Sequence, residues 1–97
     1  MNERCIYWTV YRLLYKRMLV YIGITSGPLE ERLQEHMEIG RADNPILAYM
    51  ARARCKLQIE PIDAIYGTQR QAEQRESFYI RELRPVANIR GRRKHKE

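Results

Sequence analysis

The sequence predicts a small α/β domain of the α+β kind, in which a three-stranded, mainly antiparallel sheet is flanked by about three helices. Two stretches of apolar and polar alternation near the N-terminus predict a hairpin, and a third β-rich stretch lies between segments of helical periodicity. The 97 residues are enough for one domain and too few for two. We therefore expect a single domain over residues 1–89, followed by a basic, disordered tail over residues 90–97.

The first two strands are predicted at residues 5–11 and 19–25, where apolar side chains occupy alternate positions. The basic residues 12–18 would connect them as an antiparallel hairpin with one apolar face and one face that carries Tyr7 and Tyr21. An amphipathic hairpin with no role beyond packing explains the same pattern. Gly23 leaves a gap beside the phenol of Tyr21, where another backbone or a ligand could approach closely.

A first helix is predicted from Pro28 to about Ile39, with Gly40 as its stop. Its apolar stripe consists of Leu29, Leu33 and Met37. Arg32 and His36 share the flank beside that stripe, from which a side chain can reach a cleft at the edge of the core. A solvated flank is the alternative interpretation.

The cap-and-proline pattern Asp43-Asn44-Pro45 predicts a second helix that continues to about Arg54. Its basic end contains Arg52, Arg54 and Lys56, which suit either phosphates or the helix dipole. A third strand is expected over residues 57–66. Because Pro61 cannot donate a hydrogen bond to a neighbouring strand, this strand should be an edge strand or carry a bulge.

Thr68 and Gln71 form a capping-box pattern that opens a third helix, which should continue to about Leu83. Glu76 lies in the middle of its apolar stripe, which comprises Ala72, Tyr79, Ile80 and Leu83. An unpaired buried carboxylate costs several kcal/mol, so Glu76 should meet a cation, be protonated or bind a metal. The pattern alone does not choose between an ion pair and a metal site.

Charge and composition narrow the classes of protein further. The formal net charge of +6 favours an anionic partner, either nucleic acid or an acidic membrane surface. No signal-peptide core or long apolar stretch is present, which predicts a soluble intracellular protein, cytoplasmic or nucleoid-associated, with no membrane partner. Cys5 and Cys55 are far apart in sequence and lack zinc-site spacing, so we expect two buried, reduced thiols.

Six elements in order resemble the GIY-YIG nuclease family over nearly the whole chain. They are Cys5-Ile6-Tyr7, Tyr21-Ile22-Gly23, Arg32, His36, Glu76 and Asn88. The first motif departs from the family, which usually has glycine where this chain has Cys5. Any one of these elements alone is weak, since a Tyr-Ile-Gly run is a common strand fragment.

The resemblance implies hydrolysis of DNA phosphodiester bonds with one divalent cation, Mg²⁺ or Mn²⁺, held by Glu76. It also implies that Arg32 neutralises the charge that develops on the phosphate. Tyr7 would be the general base and Tyr21 would hydrogen-bond the nucleophile or the phosphate. His36 could accept a proton from a tyrosine or position water.

Further cations and one amide are candidates for contact with DNA, although Asn88 is also suited to tying down the loop beside the site. The candidates are Arg12, Lys16, Arg17, Arg52, Arg54, Asn88, Arg90, Arg92, Arg93 and Lys94. A homodimer or a partner protein would supply specificity, because the chain has no room for a second DNA-reading domain. Two alternatives stay open: a non-cleaving nucleic-acid-binding module, and a basic interaction protein in which Glu76 forms an internal ion pair.

Overall fold

A computed structural model describes residues 4–38 and 44–88 of the chain. Within these residues three strands and three helices follow one another as β1 (Ile6–Tyr15), β2 (Met18–Thr25), α1 (Leu29–Met37), α2 (Pro45–Arg52), β3 (Gln58–Gly67) and α3 (Gln69–Leu83). The strands form one antiparallel sheet in the order β2-β1-β3, so that β1 is central. This architecture confirms the predicted α+β fold.

The β1–β2 hairpin is longer and tighter than the sequence pattern predicts. Its turn consists of Lys16 and Arg17 alone, with positive φ angles of 50° and 73°, and Tyr15 pairs with Met18. Two positive φ angles are the signature of the type I′ turn, which usually contains Asn or Gly. The prediction that residues 12–18 form the connection was wrong, because neither turn residue belongs to the types that mark such a turn.

One extra residue interrupts the pairing on each side of β1. In β2 the extra residue is Val20, since Leu13 pairs with Tyr21 and Leu14 pairs with Leu19. In β3 it is Ile62, which lies between the partners of Val10 and Tyr11 and directly follows Pro61. Since β3 is an edge strand with this irregularity at the proline, both features predicted for it are confirmed.

The main core lies between the sheet and the first two helices. Its buried members are Tyr11, Leu13, Val20, Leu47, Met50, Leu57 and Ala87. The predicted stripe of α1 packs against this cluster through Leu29, Leu33 and Met37. On α3 the buried residues are Ala72 and Glu76, and this helix contacts all three strands.

The helix ends follow the predicted caps with small shifts. Pro28 is the N-cap of α1 and not its first residue, and Ile39 and Gly40 lie outside the described residues. Asn44 accepts hydrogen bonds from the backbone N–H groups of Ile46 and Leu47, which confirms it as the cap of α2. That helix ends at Arg52, two residues earlier than predicted. The capping box of Thr68 and Gln71 is present at the start of α3.

The segment after α3 returns to β2 and closes the domain. The N–H of Ala87 donates to the carbonyl oxygen of Val20 at 2.7 Å. Asn88 Oδ1 accepts from the N–H of Ile22 at 2.8 Å, and its Nδ2 donates to the carbonyl of Ile22 at 2.9 Å. Asn44 adds a hydrogen bond from its Nδ2 to the carbonyl of Ala87. The cap of α2 is thereby joined to the segment that Asn88 anchors.

Neither cysteine forms a disulfide. Cys55 is half-buried, whereas Cys5 is exposed, so the prediction of a buried thiol was wrong for Cys5. Across residues 4–38 and 44–88, no helix has both the length and the apolar character needed to cross a membrane.

Candidate active site

Tyr11 is the centre of a polar cluster between the sheet and α1. Its side chain is fully buried, and its hydroxyl oxygen lies 2.8 Å from His36 Nε2. Arg32 Nε donates to the same oxygen at 3.2 Å, while Arg32 Nη1 is paired with Glu35 at 2.7 Å. One phenol therefore holds both polar residues of the α1 flank.

The geometry of two elements brings these residues together. In the hairpin register Tyr11 pairs with Gly23, and Leu13 pairs with Tyr21. Side chains two residues apart in a strand share a face, so the two phenols leave the same face of the sheet. Arg32 and His36 are one helical turn apart, which places them on the same flank of α1. The sequence prediction that this flank reaches a site beside the core agrees with their contacts to Tyr11.

Gly23 provides the space that the phenol of Tyr11 occupies. A Cβ at Gly23 would lie 2.5 Å from the hydroxyl oxygen of Tyr11 and 2.9 Å from a ring carbon of Tyr21. Real Cβ atoms do not approach other heavy atoms this closely. The predicted gap beside Tyr21 exists, and a second phenol of the same chain fills it.

Burial determines the protonation of the cluster. It lowers the pKa of His36 to about 4, an effect that the positive charge of Arg32 strengthens and Glu35 opposes. Burial, together with the neighbouring Tyr21, raises the pKa of Tyr11, although contact with Arg32 opposes this. Tyr11 thus keeps its proton at neutral pH and donates it to the unprotonated Nε2 of His36, which leaves the ring proton of His36 on Nδ1.

Tyr21 is the more accessible of the two phenols in the cluster. It is half-buried, whereas Tyr11 is fully buried. Its ring lies edge-on to His36 with a centroid distance of 5.2 Å, and 6.4 Å from the ring of Tyr11. Tyr21 therefore presents its side chain closer to solvent than Tyr11 does.

Glu76 is buried at 8 % exposure in the middle of α3, as its position in the apolar stripe predicts. Its negative charge contributes to the raised pKa of Tyr11, so the carboxylate lies within electrostatic range of the cluster. Among the described residues there is no group of three or more His, Cys, Asp or Glu side chains that could hold a metal. A single carboxylate fits Mg²⁺, which keeps several of its waters and often binds one or two carboxylates.

Tyr7 shares a face of the sheet with Tyr21, as predicted, but it lies outside this cluster. It is 74 % exposed, pairs with Tyr66 of β3 and precedes the first β1–β2 pair, which joins Thr9 to Thr25. Tyr21 pairs with Leu13, six residues along β1 from Tyr7, which corresponds to about 20 Å. The sequence analysis did not single out Tyr11 as a site residue. The alternation of side chains in β1 continues through Leu13, so a hairpin with a two-residue turn would have included Tyr11.

Some of the residues predicted to contact DNA are held by other groups of the protein, and others are exposed. Arg12 is paired across the sheet with Glu60 at 2.7 Å, and Lys16 lies over the ring of Tyr15. Both ends of the Asn88 amide bind the backbone of Ile22, which supports the interpretation of Asn88 as a loop anchor and not as a DNA contact. The remaining three in the described region are exposed: Arg17, Arg52 and Arg54. Arg90, Arg92, Arg93 and Lys94 lie outside the described residues.

The family model for the GIY-YIG catalytic domain matches residues 7–90. The chain belongs to the GIY-YIG family. This family relates the chain to nucleases, which act on DNA and generally use divalent metals. No curated protein and no solved structure matches the chain.

Within this GIY-YIG domain, the hairpin register places a second run of β1 opposite the second motif. The matched region begins at residue 7 and so omits Cys5 and Ile6. Thr9-Val10-Tyr11 lies inside it and pairs directly with the second motif through Tyr11 and Gly23. Tyr11, and not Tyr7, is therefore the tyrosine of β1 that lies opposite the second motif.

Proposed function

We propose that this GIY-YIG domain is a metal-dependent endonuclease that hydrolyses DNA phosphodiester bonds with one divalent cation, Mg²⁺ or Mn²⁺. The observation that carries the proposal is the convergence of Tyr11, Tyr21, Arg32 and His36, with Glu76 in electrostatic range. In this reaction the oxygen of a water forms a bond to phosphorus and the bond from phosphorus to a sugar oxygen breaks. The protein must orient that water and stabilise the added charge.

Arg32 is the group that meets the charge on the phosphate. Its planar guanidinium is suited to bind phosphate oxygens, and its side chain remains 39 % exposed. Tyr11 and Glu35 hold it from the protein side, which fixes its orientation before substrate binds. A preoriented charge costs little reorganisation during the reaction.

Tyr21 is the residue that orients the attacking water and, as its phenolate, accepts the proton of that water. We assign this role to Tyr21 because Tyr7 lies far along the sheet and Tyr11 is fully buried. Tyr11 is a positioning residue, since its hydroxyl is bound to Arg32 and His36. Only a phenolate can accept the proton of the attacking water, so an alkaline pH should favour the reaction.

Glu76 is the residue that would hold the cation. Glu76 would hold a divalent ion whose charge would stabilise the phosphate and the leaving oxygen. The burial of Glu76 in the middle of α3, within electrostatic range of Tyr11, supports this role.

The test is cleavage of supercoiled plasmid at low salt with Mg²⁺, with Mn²⁺ and with a chelator. Metal-dependent nicking should be lost in Glu76→Gln and strongly reduced in Tyr21→Phe. Glu73→Gln is the matched control, because Glu73 is an exposed carboxylate on the same helix that receives a hydrogen bond from Gln69. Plasmid that stays intact while the protein binds DNA would instead indicate the non-cleaving binding module.

A single site of this kind cuts one strand at a time. A double-strand break therefore requires either two copies of the chain or two successive nicks. Analysis of nicked and linear products at increasing protein concentration distinguishes them, since linear product should rise steeply with concentration only when two copies act together.

A further inference from the structure

Tyr7 and Tyr66 form an exposed aromatic pair that the proposed catalytic cluster does not use. The two residues are direct partners in the β1–β3 ladder and their ring centroids are 4.8 Å apart. They remain 74 % and 62 % exposed, respectively. Aromatic side chains bury large areas when a ligand covers them, so an exposed pair is a ready contact surface.

The pair lies on the same face of the sheet as the phenol of Tyr11. Tyr7 precedes Tyr11 by four residues of β1, and the extra residues of both ladders belong to the neighbouring strands. An even separation along a strand keeps the two side chains on one face, at a distance of about 13 Å. That distance equals about four base steps of B-form DNA.

Two arginines lie close to the pair in sequence, just beyond the end of the β1–β3 ladder. Arg4 precedes Ile6, the ladder partner of Gly67, and Arg70 follows Gly67 by three residues. Both are exposed, and within the described part of the chain neither makes an ion pair or a side-chain hydrogen bond. An aromatic platform with arginines near it in the chain matches the chemistry of an unpaired nucleotide, whose base stacks while its phosphate meets arginine.

We propose that Tyr7 and Tyr66 form a stacking platform for an unpaired base of the nucleic acid, a few nucleotides from the bond that is cut. Paired bases in a duplex hide their faces, so the platform favours single strands, flaps or bulges. The part that concerns the cut bond rests on the proposed nuclease function. The binding part stands independently of cleavage.

The binding test uses DNA oligonucleotides that carry 2-aminopurine at single positions, in chelator so that no cleavage occurs. Binding should quench the fluorescence of an unpaired 2-aminopurine. The double variant Tyr7→Thr, Tyr66→Thr should bind the single strand about tenfold more weakly, while binding of a duplex of equal length changes less than twofold. Threonine preserves strand propensity, and far-UV circular dichroism verifies the fold. Tyr49→Thr is the control, because Tyr49 is a 64 % exposed tyrosine on α2.

Unchanged single-strand binding, or an equal loss for single strand and duplex, would overturn the proposal. So would a concentration-dependent dimer that the double variant abolishes, since the pair would then be an interface between copies of this chain. If the plasmid assay shows cleavage, the double variant should raise KM for a flap substrate and leave kcat within twofold. A chain that cleaves nothing but loses tenfold in single-strand affinity would refute the nuclease and retain the platform.

Discussion

The hydroxyl oxygen of Tyr11 occupies the position that a side chain on Gly23 would need, because a Cβ there would lie 2.5 Å from it. The phenol of Tyr11 thereby requires a glycine at position 23. This relation links the hairpin register to the site, since Tyr11 and Gly23 are direct partners across the two strands.

Gly23→Ala should destabilise the domain by about 1–3 kcal/mol, because the added methyl group must displace the phenol of Tyr11 from a packed core. Gly27→Ala is the matched control, since its nearest heavy atom would be 3.9 Å from the new Cβ. That change should alter stability by less than about 0.5 kcal/mol. Urea unfolding measures both, and an equal effect of the two substitutions would contradict the packing argument.

Tyr11→Phe and Tyr21→Phe should separate positioning from catalysis. Loss of the Tyr11 hydroxyl leaves Arg32 and His36 without their common partner, so we expect about 1–2 kcal/mol less stability and lower activity. Tyr21→Phe should lower kcat about 100-fold or more. Steady-state kinetics measure the loss of activity in Tyr11→Phe and Tyr21→Phe, and thermal melting measures the loss of stability in the same two variants. A wild-type kcat in Tyr21→Phe would show that another group is the general base.

His36 should make the domain less stable in mild acid. Its folded pKa of about 4 lies below the ordinary value of 6.5, so the unfolded chain binds the proton more tightly. The contribution of neutral His36 to the free energy of unfolding is constant above pH 6.5 and is lost as the pH falls toward 4. Since the ring is partly exposed, we expect a loss of about 2 kcal/mol.

Unfolding of the wild type and of His36→Gln from pH 7 to pH 4 isolates this contribution, because the carboxylates titrate in both proteins. The difference in unfolding free energy between them should shrink or reverse as the pH falls. A difference that stays constant over this range would show that His36 titrates normally.

Asn88→Ala should weaken the domain without a specific loss of DNA binding. Both hydrogen bonds to the backbone of Ile22 disappear, which corresponds to about 1–3 kcal/mol. Gln74→Ala, an exposed amide on α3, is the control and should change stability by less than about 0.5 kcal/mol. The affinity of folded Asn88→Ala for duplex DNA should equal that of the wild type, whereas a direct contact would reduce it.

Most secondary structure followed from local signals. The capping box of Thr68 and Gln71, the cap at Asn44 and the proline of β3 each act within a few residues, so the sequence alone predicts their effect. The turn at Lys16 and Arg17 lacks the usual Asn or Gly. The position of this turn sets the hairpin register, which brings Tyr11 and not Tyr7 opposite Gly23.

The residues of the site also divide into those whose placement the sequence predicts and those that only the tertiary structure places. The sequence by itself determined the fold class, the shared flank of Arg32 and His36, and the burial of Glu76, because helical periodicity fixes which side chains share a face. Only the tertiary structure decided that Tyr11, and not Tyr7, meets that flank. Tyr7 and Tyr11 are four residues apart in β1, so their side chains leave the same face of the sheet. Strand alternation cannot distinguish these two positions, which are about 13 Å apart. The turn, the extra residue in β2 and the packing of α1 on the sheet make that choice.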